Sequence, residues 1–397
     1  RRHHLYGETT VLGTMPDWNP AEIIGATPRP LAISLYQHLI TDYIWAESRK
    51  SIGYKDTFPS PLVISLAGRP YVDTRASFNS FIPADMPPEI SERLVNYYLE
   101  ELASKPELHD KIEFEIAVTC YSFDFDYHSK RLSENGFSDD DLKVIKSSLL
   151  NLTNNLLNEV DVTINSELRE IDKMEERYER ILSLTDLSAE NILISIRSLL
   201  EDCQRFGTLP FSNLARYAFI GTTFLKSLKK VDFLSEEDIN SFLMSIPTVA
   251  SEISRSMRKV IEGEITIDDF LDKYGYLRPG TYNILSPCYD ESPELYMPTQ
   301  NEMQAGKGVK DTGGGEYKDI FSGRMDRLAD LIRRSGLKCS ADTLIEFIVK
   351  SIQAREYAKY KFSRNLSEAL RLLNRYAEIM GLTRDEISFV PINKFLD

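Results

Sequence analysis

The chain has 397 residues, 42% apolar and 27% charged, with 61 acidic against 47 basic residues and a net charge of −14. That length suits two or three domains, or one large core with an appended helical part. The acidic average field repels a polyanion such as duplex DNA, so nucleic acid is not expected as a partner, although a local basic pocket for a phosphate or carboxylate stays allowed.

Cys120, Cys203, Cys288 and Cys339 are widely spaced and form no CxxC pair, which argues against a zinc knuckle or a disulfide framework and fits a reducing cytosol. No apolar run approaches the roughly 20 residues needed to span a bilayer. A cytoplasmic location is the expectation.

In chain order, Ala32 to Trp45 reads as a helix, with Leu35, Leu39 and Tyr43 at helical spacing. Pro61 to Arg75 reads as two short strands around Ala67-Gly68, and Glu89 to Glu101 as a helix introduced by Pro87-Pro88. Lys111 to Phe125 alternates Ile112, Phe114, Ile116, Val118 and Cys120 with polar residues, which predicts a strand.

From Ser138 onward the pattern turns helical. Ser138-Asp139-Asp140-Asp141 is an N-cap signal. Asp161 to Leu184 reads as an exposed helix laced with i,i+4 charge pairs. Further helices are predicted from Ser188, then over Pro210–Leu228, Ser235–Met244, Thr248–Glu262 and Thr266–Lys273. Tyr274 to Pro298 reads as irregular, Gly306 to Tyr317 as a glycine-rich mobile loop, and Ala341 to Met380 as one long helix or a broken pair. The fold class expected is α+β: a mixed part over 1–130 carrying a small sheet, and a helical part over 131–397.

Four constellations can carry chemistry. On a strand, Arg69, Tyr71, Asp73 and Arg75 share one face, with Asn79 just beyond. Two guanidinium groups flanking a carboxylate either grip an anionic or zwitterionic ligand or form a structural salt-bridge ladder. Tyr274 to Tyr282 and on to Glu291 places Arg278, Tyr282 and Asp290 on a Gly/Pro-rich segment, suited to ligand contact or to a well-packed surface loop. Asp17 and Asn19 flank Trp18 ahead of Pro20, where helix capping competes with ligand binding. Glu356, Tyr360 and Arg364 line one face of the last long helix beside Arg355; an ion-paired, solvated face is the alternative. The five histidines form no HxxxH or HExxH pattern, so no metal site is expected, and no Walker A, GxGxxG or GxSxG sequence occurs.

Met15 to Gly25, the Gly68 to Arg75 motif and Tyr274 to Glu291 together resemble the central region of bacterial proteins related to phosphoenolpyruvate synthase. Tyr274 to Gly280 also resembles the matching stretch of rifampin phosphotransferases, and Arg355-Glu356 with Arg364 recurs across that wider group. Within it, the chain is most similar to the L-glutamine kinases of capsular phosphoramidate biosynthesis. Such enzymes combine an ATP-grasp domain, an acceptor domain and a swivelling phosphohistidine domain. ATP gives its β-phosphoryl group to the histidine, leaving AMP and phosphate, and the histidine phosphorylates the acceptor.

The resemblance implies that this chain is the acceptor-binding part, partnered by ATP-grasp and phosphohistidine domains that hold ATP and Mg, with no cofactor of its own. It also implies that the chain alone does not turn over ATP. The expected acceptor is L-glutamine or a similar small polar molecule. Arg69, Arg75, Arg278, Arg355 and Arg364 are then candidates for carboxylate and phosphoryl contacts, and Asn79, Tyr282, Asp17 and Asn19 for further substrate contacts. Asp73 or Asp290 would bind the ammonium or accept a proton. Arg69, Asp73, Arg75 and Arg278 are expected to converge on one pocket. A different acceptor (an alcohol, sugar or antibiotic) and a non-catalytic helical interaction module are the alternatives.

Overall fold

A computed structural model describes residues 4–158, 160–184, 188–297 and 317–396. The chain is mainly helical with a small antiparallel sheet near the N-terminus, in the order β1-β3-β2. Strand β1 is Leu12–Gly13. The short helix α1 (Pro20–Ile23) precedes α2 (Pro30–Tyr36) and α3 (Ile44–Ile52). Strands β2 (Val63–Leu66) and β3 (Arg69–Asp73) form the predicted hairpin, with Val63 opposite Val72 and Leu66 opposite Arg69. Its two-residue turn puts Ala67 at φ 50° and Gly68 at φ 76°, the double left-handed geometry that matches strand twist. Helix α4 (Thr74–Asn79) starts where β3 ends, and α5 (Pro88–Ser104) follows.

Two expectations fail here for tertiary reasons. The helix expected over 32–45 is interrupted by a π turn at Gln37–Thr41. Carbonyls of this stretch bond outward: His38 O accepts from Gln204 Nε2, Leu39 O from Thr208 Oγ1, and Thr41 O from the Leu62 amide. The strand expected over 111–125 is instead a π turn, Ile112–Ile116, followed by buried extended chain with no ladder. Side chains satisfy that backbone. The Val118 amide donates to Tyr98 Oη at 3.2 Å and the Tyr121 amide to Thr153 Oγ1 at 2.9 Å, while Thr119 O accepts from Tyr54 Oη at 2.8 Å. Buried peptide groups need partners, not necessarily a neighbouring strand.

The remainder is helical: α6 (Phe125–Glu134), α7 (Asp139–Asn158), α8 (Val160–Leu184), α9 (Ala189–Asp202), α10 (Leu209–Lys230), α11 (Glu236–Ser245), α12 (Val249–Glu262) and α13 (Ile267–Tyr274). Then come α14 (Tyr317–Phe321), α15 (Met325–Ser335), α16 (Ala341–Ile379), α17 (Arg384–Ile387) and α18 (Asn393–Leu396). Capping boxes at Ser235, Thr248 and Thr266 start α11, α12 and α13 where the sequence signals them. Most of the predicted Gly306–Tyr317 loop lies outside the described residues.

Helix α16 is a single 39-residue helix, capped by Ser340 accepting from the Thr343 amide. Leu344, Ile348, Phe362, Leu366, Leu370 and Leu373 lie on its buried side, which packs against α8, α9 and α10. The contact with α10 is close at Gly221, where a Cβ would fall 3.2 Å from Ser351 Oγ and 3.3 Å from Ile348 Cα. One apolar core runs from Leu5 to Ile392, continuous across residue 130. A small second cluster, Val260, Phe270 and Tyr274, closes the α12–α13 pair. No helix among the described residues is long and apolar enough to cross a membrane.

Candidate functional site

The segment after α13 returns on itself and docks on α16. Tyr289 N donates to Leu277 O at 2.9 Å and Asp290 N to Gly275 O at 3.0 Å. This closeness requires glycine at 275, because a Cβ there would lie 2.4 Å from Leu271 O and 2.9 Å from Asp290 Cβ. The fold-back carries Asp290 to α16, where Arg371 Nη2 donates to both of its carboxylate oxygens. Arg371 also approaches Glu368 at 3.6 Å.

Between this segment, α8, α12, α13 and α16 lies a cleft of about 510 Å³, a size that suits a small-molecule ligand. Its wall alternates charge and aromatic surface. Glu175 of α8 takes Lys361 at 2.6 Å and Arg364 at 3.4 Å, while Arg364 also reaches Glu179 at 3.0 Å and lies over the Tyr178 ring at 4.2 Å. Lys273 pairs with Glu252 at 2.5 Å, and that hydrogen bond holds the Lys273 ammonium above the ordinary lysine range. The rings of Tyr276 and Tyr360 are 5.5 Å apart; Tyr276 Oη donates to Tyr360 O, and Tyr360 Oη to Lys273 O. Burial, then the Tyr360 hydrogen bond, push the Tyr276 phenol far above its usual range. Cations and anions thus face one space across two tyrosines.

Of the residues singled out from sequence, Asp290 and Arg364 line this cleft. Arg278 sits behind it, buried. Its Nε donates to Ser367 Oγ at 3.1 Å, Nη1 to Ser286 O at 2.9 Å and Nη2 to Cys288 Sγ at 2.9 Å. Burial lowers its pKa, with Cys288 and Glu291 opposing that shift. Tyr282 is buried edge-on against Tyr36, ring centroids 5.3 Å apart. Arg355 does not line the cleft; it lies 3.8 Å from Glu356 and over the Phe219 ring.

The expected Arg69–Arg75 row does not exist as one strand face. Strand β3 ends at Asp73, whose carboxylate caps α4 through the Ala76 amide and accepts from Thr10 Oγ1 at 2.7 Å. Arg75 lies in α4 and ties down the N-terminal stretch, donating to Tyr6 O at 2.9 Å and Leu5 O at 2.7 Å. Asn79 bonds the Tyr6 amide and carbonyl, and Arg69 is exposed at the hairpin. Arg75 and Arg278 have no bonding partner in common. Replacing Asp73 by Ala is therefore expected to lower unfolding free energy by about 1–2 kcal/mol, the usual loss of a cap, in chemical denaturation, with no effect on ligand affinity.

Asn19 caps α1 through the Glu22 amide. Asp17, at φ 50°, turns inward to a buried charge cluster that shares no residue with the cleft. Its Oδ1 accepts from Arg49 Nη2 at 3.1 Å and its Oδ2 from Ser77 Oγ at 2.8 Å.

Sequence reading missed Arg371, Lys361, Glu175, Lys273 and Glu252. Arg371 had a signal: it is seven residues from Arg364, on the same helix face. Glu175 had none, since its partners are supplied by α16. Among the described residues, no group of three or more His, Cys, Asp or Glu side chains is placed to hold a metal. No protein-family model matches this chain, and no curated protein matches it significantly.

Proposed function

We propose that this chain is the acceptor-binding part of a phosphohistidine-relay phosphotransferase, and that the cleft takes a small zwitterionic acceptor, L-glutamine being the expected one. The observation that carries the reading is the pairing of Arg371 with Asp290, and of Lys361 and Arg364 with Glu175, around one tyrosine-walled space. A zwitterion needs a cation for its carboxylate and an acid for its ammonium, and exchange of these internal pairs for ligand pairs supplies both. The same cations would neutralise the equatorial oxygens of a transferring phosphoryl group. In that transfer the phosphorus–nitrogen bond to the donor histidine breaks as a bond to the acceptor nitrogen forms, and Asp290, once exchanged from Arg371, would take the proton lost by the acceptor.

ATP and Mg belong, in this reading, to the ATP-grasp and phosphohistidine domains that act with it. ATP as donor and the unpaired cysteines make the cytoplasm the matching location. The tilted rings of Tyr276 and Tyr360 favour, as a second reading, an acceptor with a sugar or aromatic ring.

Calorimetric titration tests the assignment. L-glutamine is expected to saturate wild type at millimolar ligand or below. Loss of one charge-assisted contact typically weakens binding by about 1.5–3 kcal/mol, so Arg364→Ala should lose at least about tenfold in affinity. Absence of saturation by L-glutamine, with saturation by a sugar or aromatic alcohol, transfers the cleft to the second reading. Absence of saturation by any of these removes the cleft as an acceptor site.

A further inference from the structure

The cluster around Asp17 shares no residue with the cleft. Arg49 of α3 and Arg216 of α10 flank Glu113: Arg49 Nη2 lies 3.9 Å from Glu113 Oε1, and Arg216 Nη1 donates to Glu113 Oε2. Arg216 Nε donates to Tyr54 Oη at 3.1 Å. Both guanidinium groups lie over the Phe81 ring, at 4.7 and 5.2 Å. The side chains are deeply buried: 6% exposed for Arg49, 3% for Asp17, 7% for Glu113 and 1% for Arg216.

Two charged donors in this cluster remain unmatched. Arg49 Nη1 and Arg216 Nη2 are buried and have no hydrogen-bond partner among the described residues. Buried polar atoms are nearly always hydrogen-bonded, and an unmade bond is more damaging on a charged group than on a neutral one. Here two such nitrogens belong to neighbouring guanidiniums held around one carboxylate. The Arg49–Glu113 edge retains slight exposure.

We propose that this cluster is a second ligand site, in which a small oxyanion, a carboxylate or a tetrahedral phosphate-type ion, is held by the free nitrogens of Arg49 and Arg216. The fork of a guanidinium matches either oxygen geometry. Asp17 and Glu113 already balance the two arginines, so an entering anion adds an uncompensated negative charge. Asp17 is the group placed to relieve it by taking a proton. Burial raises its carboxyl to about 6, with Arg49 lowering and Glu113 raising it, Ser77 bonded to it, and Arg216 and Tyr36 also in its field.

An anion at the site raises the Asp17 pKa further. Above pH 6 the empty site has lost that proton and the occupied site keeps it, so binding takes up a proton and affinity falls about tenfold per pH unit. Below pH 6 both states are protonated and affinity levels off.

Calorimetry on the whole chain, at constant ionic strength in chloride, tests this with sodium formate and sodium sulfate as probes. At least one is expected to saturate at pH 5.5 and to bind roughly thirtyfold more weakly at pH 7.5. Formate alone identifies a carboxylate site, and sulfate alone a tetrahedral one. Asp17→Asn should flatten the pH dependence, and Arg49→Lys should lose at least tenfold. If Arg49→Lys fails to fold, the near-isosteric Asp17→Asn decides. No saturation by either probe at pH 5.5 overturns the proposal and leaves the nitrogens to water. A pH dependence unchanged in Asp17→Asn also overturns it, because the anion then binds elsewhere.

Discussion

Glu113→Ala is expected to remove about 3–5 kcal/mol of unfolding free energy, the usual effect of breaking a buried ion pair from one side. Against a typical total of about 5–15 kcal/mol, that is a large share of the stability. The reason lies in the neighbours. Glu113 stands between Arg49 and Arg216, and its removal leaves two buried guanidiniums facing the single carboxylate of Asp17. The chain gains nothing in exchange, because both arginines are anchored on elements that pack in the core, α3 and α10. Guanidinium chloride denaturation measures this as a lower midpoint at unchanged slope. The paired change Glu113→Leu with Arg216→Met replaces charge by apolar volume and is expected to be much milder than Glu113→Ala alone. A loss below about 1 kcal/mol in Glu113→Ala, within the range of an exposed pair, would mean that the cluster is solvated.

The contrast between Glu113 and the helices shows what local sequence encodes. Ser235, Thr248, Thr266 and Ser340 each announce a helix start, because a cap is a bond between residues three apart. The Ala67-Gly68 turn is legible for the same reason. Glu113 sits in Ile112-Glu113-Phe114-Glu115 and reads as the polar face of a strand. Its partners are 64 residues away at Arg49 and 103 away at Arg216, and no local pattern carries that pairing. The π turns at 37–41 and 112–116 are likewise set by outside groups. The cleft was half legible. Asp290 stands out on a Gly/Pro-rich segment and Arg364 on a helix stripe, whereas Glu175 looks like any solvated helix charge until α16 is packed against α8. The Arg69–Arg75 row misled because alternation assumes the strand continues, and Asp73 ends it by capping α4.

Arg278→Ala is expected to destabilise the chain by about 3 kcal/mol, and to do so locally. The sequence resemblance makes Arg278 a candidate ligand contact, for which the change would weaken binding and leave the fold intact. In the structure all three guanidinium nitrogens have partners: Ser367 on α16, and Ser286 and Cys288 within the folded-back segment. The Ser367 hydroxyl in turn donates to Tyr276 O at 2.7 Å. The side chain is the pin between segment and helix. Its removal leaves buried acceptors unmatched, each worth about 1–3 kcal/mol, partly offset where water reaches them.

A local readout separates this role from a ligand contact. The amides of Tyr289 and Asp290 bond across the fold-back to Leu277 O and Gly275 O, so their hydrogen exchange reports opening of the segment. Exchange at both is expected to accelerate at least about tenfold in Arg278→Ala, which corresponds to about 1.4 kcal/mol of local stability. Amides in the centre of α10 would change only with global stability. Under the proposed function, L-glutamine affinity should fall as well, because Asp290 rides on the loosened segment. Arg278→Lys, which keeps the charge without the fork, should recover little of either. Unchanged exchange at Tyr289 and Asp290, together with abolished L-glutamine binding, would return Arg278 to the role of a direct ligand contact.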